Sequence, residues 1–162
     1  MRSSKTSSIE YVALHLLMPL PTSGEDVDEW SLSDLEGNRM GKTILVVDDS
    51  PTSRHLLTFT LKSAGFNVVE AEDGQEAVAK LNEGVIFHLV ITDWNMAIMD
   101  GLAFIKAFRA MPAYKSTPVL ILTTEPDEKQ KQDGRAAGAT GWIVKPFNHE
   151  QLMKVVRKVM PA

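Results

Sequence analysis

The chain has 162 residues, 44% of them hydrophobic and 23% charged, which fits one globular domain with an appendage. No apolar run nears the roughly 18 residues that span a bilayer, and the lack of cysteine excludes disulfides, thiolate zinc sites and cysteine nucleophiles. The formal charge of −4 is uneven: residues 1–39 carry three basic and seven acidic groups, whereas the rest balance at 14 and 14 with no dense basic stretch to hold nucleic acid.

Residues 1–39 read as the appendage. Ile9, Val12, Ala13, Leu16 and Leu17 follow helical spacing, so a short helix is expected over 9–18, stopped by Pro19 and Pro21. From Thr22 to Arg39 the chain is acidic and Ser-rich and buries too little to offset its ordering entropy. The segment is therefore read as disordered, or as a non-native extension upstream of a start at Met40. Glu10 and His15 interrupt the apolar stretch after Arg2 and Lys5, which argues against a signal peptide.

The body, residues 40–162, alternates strands and helices. Thr43-Ile44-Leu45-Val46-Val47 is an apolar, β-branched run. So are Leu89-Val90-Ile91-Thr92, Val119 to Thr123 and Trp142-Ile143-Val144, and Asn67 to Glu70 is a weaker fifth. Continuous rather than alternating hydrophobicity predicts strands buried on both faces, as in a parallel sheet. Between them, Ser50-Pro51 caps a first helix with Leu57, Leu61 and Ala64 facing the sheet. A second follows Asp73-Gly74 with Ala77, Val78 and Leu81 inward, and a third follows Asp100-Gly101 with Leu102, Ile105 and Phe108 inward. A fourth, about Asp127 to Ala137, is almost wholly polar and carries Gly134, which costs about 1 kcal/mol relative to Ala. It is expected to be the softest part of the body. The last opens with Asn148 and Gln151, spaced as a capping box, and shows a Leu152, Val155, Val156, Val159 stripe. The sum is an α/β fold, (βα)5, a doubly wound parallel sheet.

In such sheets ligands bind at the carboxyl ends of the strands. Strand one ends in Asp48-Asp49, strand three in Asp93, strand four in Thr123-Thr124 and strand five in Lys145-Pro146. Three carboxylates, a hydroxyl and an ammonium then share one rim. Close carboxylates repel, and a divalent cation relieves this; an all-oxygen set suits Mg²⁺ or Mn²⁺. A carboxylate beside such a cation can accept a phosphoryl group, with Lys145 and the Thr123 hydroxyl stabilising charge on the transferring group. Singly, each residue reads as a turn former or a solvated loop; the ordered combination on the correct strands carries the chemistry. His15, His55, His88 and His149 share no ligand spacing, so no zinc site is expected.

Residues 42–160 resemble the CheY-like receiver domain of bacterial two-component response regulators, of the stand-alone chemotaxis type. The resemblance rests on Asp48-Asp49, on Asp93-Trp94-Asn95-Met96 with Met99-Asp100-Gly101, on Thr123, on Trp142, and on Lys145-Pro146-Phe147. It implies strand order 2-1-3-4-5, with Asp93 as phosphoacceptor and Asp48, Asp49, Asp93 and the backbone carbonyl of Asn95 around the metal. It also implies Thr123 and Trp142 as switch residues, with Asn95 and Glu125 tuning a short phosphate lifetime. Ala97 departs from the family's usual Pro, so the loop is expected to be slightly freer.

The function implied is a phosphoacceptor switch, not an enzyme acting on other substrates. A sensor histidine kinase donates, and the output is protein–protein contact, for example with a flagellar motor switch protein, in the cytoplasm and without membrane or nucleic acid. Phosphate on Asp93 would draw in Thr123 and let Trp142 turn inward. Only 16 residues follow Pro146, too few for a helix-turn-helix module. A phosphorelay intermediate or a phosphate sink would carry the same motifs. A Mg²⁺-dependent aspartyl-phosphate phosphatase would need a second acid where Asn95 stands.

Overall fold

The computed structural model describes residues 41–160. The expectations for residues 1–39, including the helix over 9–18 and the start at Met40, lie outside the described residues. Five strands alternate with five α-helices: β1 (Thr43–Val47), α1 (Pro51–Ser63), β2 (Asn67–Ala71), α2 (Gly74–Leu81), β3 (Leu89–Asp93), α3 (Gly101–Arg109), β4 (Val119–Thr123), α4 (Glu128–Ala137), β5 (Gly141–Val144) and α5 (His149–Val159). The sheet is wholly parallel, in the order β2-β1-β3-β4-β5.

The apolar runs become strands because both sheet faces are covered. Ile44, Val46, Leu89, Ile91, Leu120 and Leu122 point to one side, against Leu57 and Leu61 of α1 and Leu152, Met153 and Val156 of α5. Leu45, Val47, Val90, Val119 and Ile121 point to the other, against Ala77 of α2 and Phe104, Ile105 and Phe108 of α3. The predicted stripes shift slightly. Phe104 and Met153, both buried, join the core, while Leu102 is only half-buried and borders a groove between α3 and α4.

Helix starts follow local chemistry. Ser50, Asp73, Asp100, Asp127 and Asn148 each accept a backbone N–H with the side chain, and Asn148 with Gln151 forms the expected capping box. The expectation for Gly134 acquires a different cause. A Cβ there would lie 2.9 Å from Ile121 Cδ1 and 3.2 Å from Trp142 Cζ2. The glycine lets a polar helix sit directly on the sheet, so its helix-propensity cost brings close packing. Gly134 is also the buried residue of α4.

Candidate functional site

The carboxyl ends of β1, β3, β4 and β5 form one rim because β1 and β3 are neighbours at the sheet centre, next to β4. Asp48 follows β1 and is fully buried, Asp49 beside it is exposed, and Asp93 closes β3 at 8% exposure. Each of these three offers a carboxylate oxygen within 4.8 Å of the others. Lys145, just beyond β5, places Nζ 3.2 Å from Asp48 Oδ2 and 3.5 Å from Asp93 Oδ2. The Lys145–Pro146 peptide bond is cis. Thr123 closes β4 with 4% exposure. The structure thus brings Asp48, Asp49, Asp93 and Lys145 together. Asn95 and Glu125 are exposed on the loops after β3 and β4.

The electrostatics of the rim are unbalanced. The Asp93 carboxyl is pushed up to about 6, first by burial and then by the Asp48 carboxylate; Lys145 and the Trp94 backbone N–H pull it back only in part. The Trp94 bond is explicit, its N–H donating to Asp93 Oδ1 at 2.9 Å. Three carboxylates facing one ammonium leave uncompensated negative charge, and the ligands are all oxygen. That donor set fits a small hard cation such as Mg²⁺, held by Asp48, Asp49 and Asp93.

Asp48 is held by the cap residue Ser50 and by Ser53 and Arg54, which the sequence did not single out. Its Oδ1 accepts the Ser50 backbone N–H at 2.9 Å, and its Oδ2 accepts the Ser53 hydroxyl at 2.6 Å. Arg54 donates to the Asp48 carbonyl at 2.7 Å and to Glu70 of β2 at 2.9 Å, stapling the loop to the neighbouring strand. The polar positions at the start of α1 were the available signal, but only the helix phase shows which of them turn back toward Asp48.

The loop after β3 is tied by backbone hydrogen bonds. Met99 N–H donates to the Ala97 carbonyl at 2.7 Å across Ile98, whose φ is +67°. That three-residue turn with positive φ at a β-branched centre is rare and strained. Gly74 N–H donates to the Met99 carbonyl, and Gly101 N–H to the Trp94 carbonyl. Three hydrogen bonds tie the loop that lacks the proline. Ile98→Asn, which tolerates this conformation, is expected to stabilise the fold by about 1 kcal/mol. Urea denaturation checks this; an unchanged midpoint would show that the turn is unstrained.

Trp142 lies on β5 opposite Ile121 and is already half-buried against the core on the α4 side. The Arg135 guanidinium sits 5.6 Å from its ring. Its buried Nε1 has no hydrogen-bond partner. The indole is thus half-buried in this structure.

Known proteins share this fold. The family described as the response regulator receiver domain matches residues 44–157. The chain belongs to the response regulator receiver family. It is 39% identical to the chemotaxis protein CheY1 of Helicobacter pylori (strain J99) over 118 residues, covering 72% of this chain and 95% of that protein. It is 38% identical to the chemotaxis protein CheY of Pseudomonas aeruginosa over 117 residues, covering 72% of this chain and 94% of that one. Among solved structures, the chemotaxis protein CheY4 of Vibrio cholerae superposes with a TM-score of 0.71 at 47% identity, covering 73% of this chain and 98% of that one. The chain therefore carries a phosphoacceptor signalling role.

Proposed function

We propose that Asp93 takes a phosphoryl group from the phosphohistidine of a sensor histidine kinase, in a reaction that depends on Mg²⁺ held by Asp48, Asp49, Asp93 and the Asn95 carbonyl. The observation that carries this is the acceptor's setting: a nearly buried carboxylate between two others, with Lys145 Nζ 3.5 Å away. A bound cation supplies positive charge against the transferring group. The residues do the rest. Asp93 Oδ attacks phosphorus, the phosphorus–nitrogen bond to the donor imidazole breaks, and the electron pair leaves on that nitrogen, which takes up a proton. Lys145 balances charge on the phosphoryl oxygens, and the Thr123 hydroxyl donates to one of them. Water later cleaves the aspartyl phosphate, with Asn95 and Glu125 setting its lifetime. The chain thus catalyses only its own phosphorylation and dephosphorylation.

The output is a change in protein binding through Thr123, Trp142 and α4. Resemblance to the chemotaxis proteins favours a cytoplasmic signal to a flagellar motor switch protein. With Mg²⁺ and acetyl phosphate, the chain is expected to gain an acid-stable, base-labile phosphoryl adduct with a change in tryptophan fluorescence. Both vanish in EDTA. Asp49→Asn is expected to weaken Mg²⁺ at least tenfold, read from fluorescence titration, since it removes a full ligand charge. An adduct that forms equally well in EDTA would overturn the metal-dependent mechanism.

A further inference from the structure

The Thr123 hydroxyl already has a partner. Its Oγ1 donates to Gln130 Oε1 at 3.3 Å. Gln130 stands in the first turn of α4, where its backbone N–H is fixed by the Asp127 cap at 2.8 Å. One turn later Gly134 lays the same helix against Ile121 and Trp142. Consecutive turns of α4 therefore touch both proposed switch residues, the amide on Thr123 and the glycine on Trp142.

A threonine hydroxyl has a single proton to donate. Given to Gln130, that proton is unavailable to a phosphoryl oxygen on Asp93. The resting bond is long for O–H···O geometry and joins two neutral groups. A bond to a charged phosphoryl oxygen is roughly twice as strong. The exchange therefore favours the phosphoryl group, and its completion removes a side-chain tie between β4 and α4.

We infer that Gln130 is a positioning residue for Thr123, holding its hydroxyl in the resting state and releasing α4 when the proton is given to the phosphoryl group. This rests on Thr123 being the phosphoryl-binding hydroxyl. It adds a resting-state opponent to that residue and a route from the phosphoryl group to α4.

The test uses the full chain with Mg²⁺ and beryllium trifluoride, an anion that takes the phosphoryl position, measured by isothermal titration calorimetry. Gln130→Leu and Gln130→Ala are compared with the parent, each also in a Thr123→Val background. Removing the opponent is expected to tighten the anion about threefold to tenfold, the worth of one neutral hydrogen bond. In the Thr123→Val background neither change should alter affinity, because no hydroxyl remains to hold. A merely structural role for Gln130 would act equally in both backgrounds, and that result overturns the inference. So does an unchanged affinity in both single variants. If Thr123→Val alone binds the anion as tightly as the parent, the reading of Thr123 itself fails; if it weakens binding while the Gln130 variants stay neutral, only the latch fails.

Discussion

An Asp93→Asn chain is expected to take up no phosphoryl group from acetyl phosphate and yet to be more stable than the parent at pH 7 in EDTA. The amide is no nucleophile, so the covalent step is lost. The gain in stability comes from the same carboxylate. Asp93 titrates near 3.8 when free and at about 6 in the fold, chiefly because it is buried and then because Asp48 faces it. The folded chain therefore binds this proton more tightly than the unfolded chain. Stability must fall as pH rises from about 4 to about 6, and the whole deficit is present above that range. Its size is about 1–3 kcal/mol. Below pH 4 both chains should carry a neutral group at position 93, and their stabilities should converge. Denaturation at pH 4 and pH 7 measures this directly. Added Mg²⁺ should narrow the gap at pH 7, because it binds the folded parent more tightly than the variant, which has lost one carboxylate. A parent as stable as Asp93→Asn at pH 7 would show that the rim is not under electrostatic load.

Gly101→Ala is the substitution expected to do most damage outside the charged residues. Gly101 opens α3 directly after the β3 loop. A Cβ there would fall inside contact distance of the Asp93 backbone carbonyl oxygen and 3.0 Å from Trp94 Cα. Both obstacles are backbone, so neither can rotate away. The Asp93 carbonyl also accepts the buried Thr92 hydroxyl at 3.0 Å, and the Trp94 carbonyl accepts Gly101 N–H at 2.9 Å. Relief requires moving α3 or the acceptor strand end. Overpacking of this kind costs about 2–3 kcal/mol, which lowers the melting temperature by roughly 5–15 °C for a domain of this size. Mg²⁺ affinity should fall with it, since Asp93 is both neighbour and ligand. A variant that melts like the parent would mean that the strand end yields freely.

Much of this site was legible because its residues sit where strands stop. Val47 to Asp48 is an abrupt change from apolar to charged, and the buried run Leu89 to Thr92 ends as abruptly at Asp93, because both faces of the central strands are covered; Val144 before Lys145 is exposed. The parallel order then gathers the charged sides on one rim. What stayed hidden depends on helix rotation. Ser53 and Arg54 turn toward Asp48, and Gln130 toward Thr123, only because α1 and α4 dock in particular phases. No periodicity in a polar helix such as α4 records its phase. Gly134 was misleading for the same reason: its cost is visible in sequence, whereas Ile121 and Trp142 packed over it are not. The hydrogen bonds of the β3 loop were hidden too, because they run between backbone groups that any residue carries.

Lys145 and Asp48 are 97 residues apart in sequence, and their side chains meet only because the sheet brings β1 and β5 to one rim. During synthesis the three carboxylates leave the ribosome first, and the ammonium that faces them comes with the last strand. No nascent fragment ending before β5 holds the complete site, so a half-made chain lacks the ammonium that faces its carboxylates. Competence to receive the signal is thereby tied to completion of the fold.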